Sequence, residues 1–113
     1  MNKINQITNN SRQRQTIPLD DGRTFEIALY YMPMQLGWFI EEIKFGDFTL
    51  SSLRITNSPN MLHQFKNKLP FGLACISLDD REPSQQQDFT SGNSVLYVLE
   101  EAEVIAYQEY LSE

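Results

Sequence analysis

The alternation of apolar and polar residues along the chain predicts β-strands through most of its length. The clearest case is residues 24–31, where every second residue from Phe25 onward is large and apolar. A period of two residues places these side chains on one face of a strand. An Asp-Asp-Gly turn at residues 20–22 predicts that this strand forms a hairpin with residues 15–19. Pro18 has no N–H group to donate to a neighbouring strand, so the partner is predicted to be an edge strand.

Four further strands are predicted, at residues 38–45, 48–55, 71–78 and 94–99. The first of them breaks its alternation at Glu41 and Glu42, where a β-bulge would restore the phase. Residues 71–78 are almost continuously apolar, which is typical of a strand buried on both faces. Six strands with short polar turns and no alternating helices predict an all-β domain, a single small antiparallel sandwich or barrel.

The two ends of the chain differ in character from this β-domain, which covers residues 15–99. Residues 1–14 are rich in Asn and Gln and are predicted to be a flexible N-terminal arm, either a frayed end without a role or an arm that orders against a partner. Residues 100–113 are predicted to be an acidic C-terminal extension. Its apolar positions fit a short helix, but they also fit an extended segment, so both structures stay open.

Two loops complete the predicted organisation. Residues 61–69 are expected to form a loop with at most one helical turn, because the segment is short and Pro70 restricts the residue before it. Residues 79–92 are polar, and we expect an ordered surface loop held in place by the ring of Phe89. The acids Asp79, Asp80, Glu82 and Asp88 in this loop do not follow the EF-hand spacing, so a solvated loop is favoured over a calcium site.

Composition limits the chemistry that the chain can perform. A length of 113 residues fits one domain, and the longest apolar run, residues 27–34, is too short to span a bilayer; no secretory signal is recognised either. Cys75 and His63 are the only residues of their types, so an internal disulfide and the common catalytic triads and zinc sites are disfavoured. Cys75 is expected to behave as a small buried hydrophobe, and His63 as an ordinary hydrogen-bonding residue. The protein is therefore predicted to be non-enzymatic, without a cofactor or a metal.

Charge is distributed unevenly along the chain, although the net charge is −6. Residues 1–14 carry three basic residues and no acid, residues 15–78 hold six acids and five bases, and the rest holds nine acids against Arg81. Ends of opposite charge suit assembly with defined protein neighbours. Candidate partner-binding residues are accordingly placed at both ends and on one outward strand position: Lys3, Ile4, Ile7, Arg12, Arg14, Tyr30, Val104, Tyr107 and Leu111.

Aromatic residues support an alternative function. Rings on the predicted strands, at Tyr30, Tyr31, Trp38, Phe39 and Tyr97, could stack on bases, as in small barrels that bind single-stranded nucleic acid. Such binding needs a basic groove around the rings, and the strands offer only scattered Lys and Arg. Core packing of most of these rings is therefore favoured, with Tyr30 at an interface.

Over residues 15–99 the sequence resembles the small baseplate plug proteins of contractile-tailed phages, as described for cyanophage. The resemblance rests on the order and spacing of short segments: Thr16-Ile17-Pro18-Leu19, the strand from Phe25 to Tyr31, Trp38, Asn60-Met61-Leu62, Phe71-Gly72-Leu73, Asp79-Asp80, Glu82-Pro83, Phe89 and Val95-Leu96-Tyr97-Val98-Leu99. It implies a virion structural protein at the centre of the tail baseplate, present in several copies among hub, tube or spike proteins. It implies assembly in the host cytoplasm and no contact with nucleic acid or membrane.

Overall fold

A computed structural model of the protein describes residues 2–4, 7–63, 69–78 and 81–112, with the side chains of residues 107–112 left out. Within these ranges the chain forms β1 (Asn2–Lys3), β2 (Arg12–Pro18), β3 (Thr24–Met32), a 3-10 turn (Pro33–Gln35), β4 (Gly37–Phe45), β5 (Phe48–Arg54), β6 (Gly72–Ser77), β7 (Ser94–Leu99) and α1 (Glu101–Ser112). Strands pair in the orders β2-β3-β4-β5 and β1-β7-β6, and every pairing is antiparallel. The predicted all-β fold is confirmed.

The predicted hairpin joins β2 and β3. It is paired from Arg12 opposite Tyr30 to Pro18 opposite Thr24. The turn is closed by the Leu19 N–H group, which donates to the carbonyl oxygen of Arg23 at 2.7 Å. Since β3 is the one strand beside β2 in the described part of the chain, Pro18 ends an edge strand, as predicted.

A β-bulge lies in β4 at the predicted position. The pairing of β3 with β4 slips by one residue, so that Glu41 has no opposite residue on β3. The slip lets Ile40 and Ile43 both face the interior, where both are completely buried. It also leaves Glu41 and Glu42 on the outer surface, where each forms an ion pair. Because of the bulge, both adjacent glutamates lie on the outer surface while the inner face of β4 stays continuously apolar.

One hydrophobic core lies between the two sheets, which are thus the layers of a sandwich. Trp38 of β4, Leu73 of β6 and Leu96 of β7 are completely buried in it. The ring of Phe25, in β3, stacks on the ring of Phe71, directly before β6, with the two centroids 4.2 Å apart. Because both sheets contribute to the same core, neither can bury its inner face without the other.

The start of β6 is joined to the preceding segment by buried Asn60. Its side-chain oxygen accepts hydrogen bonds from the N–H groups of Leu62 at 3.0 Å and Leu73 at 3.2 Å. Gly72 lies directly against this amide, and a Cβ atom there would be 2.5 Å from the Asn60 oxygen. Only glycine fits at that distance.

The loop before β7 is held in place by Phe89, as predicted. The edge of its ring meets Trp38 with centroids 5.5 Å apart. Asp88 does not follow the prediction of a solvated loop, because it is buried and its carboxylate accepts hydrogen bonds from the N–H groups of Ser84 and Gln85 at 2.8 and 2.9 Å. A carboxylate that satisfies two backbone donors can be buried without a metal or a cation. Asp79 and Asp80 lie outside the described residues, as do residues 64–68 of the predicted loop before β6.

The predicted N-terminal arm requires correction. Asn2 and Lys3 pair with β7, Ile4 is buried in the core, and residues 12–14 belong to β2. The prediction treated residues 1–14 as unable to order themselves, but a segment that adds to an existing strand needs little apolar surface of its own. The backbone hydrogen bonds to β7 and one buried aliphatic side chain offset the entropy cost.

The C-terminal segment is helical, which decides between the two predicted alternatives. Helix α1 begins with Glu101 and Glu103 in its first turn, where negative charge is favoured by the helix dipole. Val104 packs against Ala74 and Leu99 on the outer face of the three-stranded sheet. The helix covers only part of that face, because Ile76 of β6 is 48% exposed. The prediction that this strand is buried on both faces is therefore wrong at its C-terminal end.

Candidate protein-interaction surface

The outer face of the four-stranded sheet carries a row of side chains that takes one residue from each strand. Arg12 of β2 lies opposite Tyr30 of β3, Tyr30 lies opposite Phe39 of β4, and Phe39 lies opposite Arg54 of β5. Directly opposite residues on antiparallel strands project to the same face. The four side chains are therefore neighbours on the outer surface.

These four residues form what we call the Arg–aromatic stack. The rings of Tyr30 and Phe39 are stacked with centroids 5.5 Å apart and planes 24° from parallel. The guanidinium carbon of Arg12 lies 5.7 Å from the Tyr30 centroid, and that of Arg54 lies 5.4 Å from the Phe39 centroid. Each spacing is close to the separation of adjacent strands, about 4.8 Å. Because the neighbours within the stack cover the ring faces, the half-buried rings present mainly their edges to solvent.

Ion pairs orient the arginines of this face. The pairs are Arg12 with Glu41 at 3.2 Å, Arg14 with Glu42 at 3.1 Å, and Arg54 with Glu82 at 3.4 Å. All of them are partly exposed, and such pairs contribute only about 0–1 kcal/mol to stability. Their main effect is to cancel the positive charge of this face locally, because a carboxylate lies beside each of its arginines.

An exposed apolar turn adjoins the stack. Met34 is 97% exposed and Leu36 is 57% exposed, and Leu36 adopts a left-handed conformation with φ of +48°. The Arg54 guanidinium donates to the carbonyl oxygen of Leu36 at 3.3 Å and lies against Gly37, where it leaves no room for a Cβ atom. We call residues 33–36 the turn tip. The turn tip and the Arg–aromatic stack form one continuous surface that Arg54 holds together.

The structure brings together three of the nine residues predicted to bind a partner. Arg12 and Tyr30 belong to the Arg–aromatic stack, and Arg14 lies two residues along β2 on the same face. The other predicted residues do not join them: Lys3 is exposed on β1, Ile4 and Val104 are buried, Ile7 is half-buried against the core, and Tyr107 and Leu111 lie in α1 with side chains outside the described part. Ile4 and Val104 could not meet a partner without leaving the protein's own interior.

Sequence reasoning missed the residues that complete this surface. The sequence predicts core packing for most of the strand rings, Phe39 among them, and it gives no reason to place Arg54 beside Phe39. The sequence feature that could have predicted the position of Phe39 is the bulge at Glu41. With the bulge there, the alternation of side chains that buries Ile40 places Phe39 on the outer face. The contact between Arg54 and the turn tip depends on strand order, which no local pattern in the sequence reports.

The described residues form neither a metal-binding cluster nor a membrane-spanning helix. In the described ranges, no three His, Cys, Asp or Glu side chains lie together as a metal site would require. No helix described here has the length and apolar character to cross a bilayer.

Cys75 gives a test of core integrity. The thiol is 1% exposed, and burial raises its pKa to about 11, from about 8.5 for a free cysteine. We expect a thiol reagent to label the native protein at pH 7.5 far more slowly than the urea-unfolded protein. The unfolded state releases the proton first, so this thiol should lower stability progressively as the pH rises from about 8.5 toward 11. Fast labelling of native protein would contradict the burial.

Comparison of the sequence with models of known protein families gives no match, and a search of curated proteins finds no significant relative.

Proposed function

We propose that this protein is a non-enzymatic structural component of a phage tail baseplate, which packs among hub, tube or spike proteins at the baseplate centre. The observation that carries the proposal is the continuous surface of the Arg–aromatic stack and the turn tip. It contributes rigid rings, ordered arginines and two exposed apolar side chains to one side of the sandwich. Tyr, Met and Arg are enriched at protein interfaces and at their energetic centres.

Local neutrality of this surface supports a protein partner. Phosphate binding draws on clustered cations that release counterions, and here each arginine of the sheet face already has a carboxylate beside it. A protein partner can instead cover the ring edges and the turn tip and leave the ion pairs at the rim, where they cost little. The geometry therefore favours a protein over a polyanion.

Several of the segments behind the family resemblance meet in space. The Asn60-Met61-Leu62 segment is hydrogen-bonded to Leu73 of the Phe71-Gly72-Leu73 segment. Trp38 contacts Phe89, and its indole N–H group donates to the Gln85 carbonyl oxygen at 3.1 Å.

Incorporation into phage tails tests the proposal. In a phage that encodes this protein, we expect mass spectrometry of purified tails to detect it, and we expect the double variant Tyr30→Thr, Phe39→Thr to be lost from tails. Threonine keeps strand propensity, so the isolated variant should still fold. The matched control is Leu78→Ser, an 83% exposed position directly after β6 of the other sheet, which should be incorporated normally.

Two outcomes would count against separate parts of this proposal. Absence of the wild-type protein from purified tails would refute the baseplate assignment. Normal incorporation of a folded Tyr30→Thr, Phe39→Thr variant would refute the interface but leave the assignment standing.

Single-stranded nucleic acid binding is the alternative function, and the stack bears on it directly. A base would have to displace Arg12 or Arg54 to reach a ring face of Tyr30 or Phe39. We therefore expect no binding of fluorescent oligothymidine at low salt. Binding that weakens steeply with added salt would favour the alternative.

A further inference from the structure

The turn tip combines two unfavourable features at one residue, Leu36. Its side chain is 57% exposed, and its backbone is left-handed, with φ of +48° and ψ of +55°. This conformation strains any residue that has a Cβ atom, and glycine or asparagine is usual there. The other exposed large hydrophobic residues of the described chain, Met34, Ile76, Leu78 and Ile105, have no positive φ. An exposed leucine is ordinary, but an exposed leucine on a strained backbone requires an explanation.

Packing within the protein does not supply that explanation. All four residues of the turn tip are exposed, and neither hydrophobic cluster of the described chain includes Leu36. Gly37 follows directly, but its missing Cβ atom serves a different contact, because a Cβ atom there would be 2.8 Å from the Arg54 guanidinium. The fold therefore accommodates a leucine at position 36 without needing one.

Hydrogen bonds on both sides hold this strained backbone. The Leu36 N–H group donates to the carbonyl oxygen of Pro33 at 3.2 Å, and the Leu36 carbonyl oxygen accepts from Arg54 at 3.3 Å. Arg54 is itself fixed, since it lies 5.4 Å from the Phe39 ring centroid and pairs with Glu82 at 3.4 Å. The backbone that carries the Leu36 side chain is thus ordered before any partner binds, which reduces the entropy lost on binding.

The surroundings of the turn tip favour a protein with an apolar pocket as its partner. Interfacial helices and polybasic segments bind membranes through cations that attract anionic lipids, whereas each arginine of the adjoining sheet face has a carboxylate beside it. A net charge of −6 on every copy disfavours self-association. A pocket on another protein can receive the two apolar side chains and leave the ion pairs at the rim.

We propose that Leu36, together with Met34 of the same turn, is the anchor that this protein inserts into an apolar pocket of a neighbouring baseplate protein. The inference rests on the proposed function, because the neighbour is one of the hub, tube or spike proteins. Proteins depart from local conformational preferences at functional sites, and a few residues carry most of the energy of an interface. A residue that suits the left-handed backbone better than leucine should therefore improve folding and impair binding.

Leu36→Asn tests this opposition between folding and binding. Asparagine tolerates the left-handed backbone better than leucine, so the Tm of the isolated variant should rise by about 2–6 °C. Its amount in purified phage tails should fall at least about tenfold, because the side chain is polar. Fluorescence of the buried Trp38 follows thermal unfolding, and quantitative mass spectrometry follows incorporation. A variant more stable than the wild type cannot be lost from tails through unfolding.

Two variants serve as matched controls. Leu36→Met keeps an apolar side chain on the same strained backbone, so its Tm should be unchanged and its incorporation should stay within about twofold of the wild type. Ser52→Gly relieves the other described non-glycine residue with positive φ, which is exposed in β5 with φ of +59°. It removes no apolar side chain and should be incorporated as the wild type is.

The outcomes separate this inference from the proposed function. Normal incorporation of Leu36→Asn, a lower Tm for it, or an equal loss of Leu36→Met from tails would overturn the anchor and leave the baseplate assignment standing. Absence of the wild-type protein from tails would overturn both. We expect no flotation with vesicles of phosphatidylethanolamine and phosphatidylglycerol, and a monomer in sedimentation. Vesicle binding or a dimer that Leu36→Asn abolishes would overturn the choice of a protein pocket.

Discussion

Replacement of Leu73 by aspartate should unfold the protein at room temperature. Leu73 is completely buried in the middle of the core, between the two sheets. The change removes a leucine's packing, worth about 2–5 kcal/mol, and introduces a carboxylate in an apolar site, which costs several kcal/mol more. Together these losses are comparable to the roughly 5–15 kcal/mol by which small domains are stable. Near-ultraviolet circular dichroism and urea unfolding measure the effect.

Leu78→Asp is the matched control for this change. Leu78 follows β6 directly but is 83% exposed, so the same substitution there should alter the free energy of unfolding by no more than about 0.5 kcal/mol. A Leu73→Asp protein that unfolds cooperatively within a few degrees of the wild type would show that the two sheets do not enclose Leu73.

Local patterns were sufficient to predict much of the four-stranded sheet. The hairpin of β2 and β3 follows from a turn signal between alternating segments, and the bulge at Glu41 follows from a break in that alternation. Both are properties of residues close together in the chain. Strand β1 had no such signal, because two residues have no measurable periodicity and their partner, β7, is more than 90 residues away.

Burial on the outer faces could not be predicted for the same reason. The apolar run of residues 71–78 indicated burial on both faces, but α1 covers only the part of the three-stranded sheet near Ala74 and Leu99. How far a helix extends over a sheet depends on where it starts and on its direction. The residues of the strand do not determine where the helix starts or in which direction it runs. The exposure of Ile76 and Leu78 therefore could not be predicted from them.

Three of the residues predicted to bind a partner lie on one face of the sheet for a reason that the sequence did not indicate. Arg12 and Arg14 were chosen as part of a basic arm, and Tyr30 for its outward phase on a strand. They lie on one face because β2 extends further toward the N-terminus than its turn signal indicated. Phe39 and Arg54 join them through strand order, a long-range property of the fold.

The second large effect is expected at Gly72, where alanine should lower the free energy of unfolding by about 3 kcal/mol or more. The new Cβ atom would lie 2.5 Å from the Asn60 side-chain oxygen, so the amide must move. Movement costs about 1–3 kcal/mol of strain and leaves the N–H groups of Leu62 and Leu73 without their acceptor, at about 1–3 kcal/mol each. Urea unfolding followed by tryptophan fluorescence measures the loss, since Trp38 is completely buried.

A double-mutant cycle isolates the contact between Gly72 and Asn60. Asn60→Ala alone should be destabilising, because it removes the acceptor of the same two N–H groups. In that background Gly72→Ala meets no amide, so the double variant should be about as stable as Asn60→Ala alone. Fully additive costs would mean that the alanine methyl group is destabilising for a reason other than Asn60. Strong non-additivity would establish that a single glycine is required here so that one buried amide can join the segment after β5 to the start of β6.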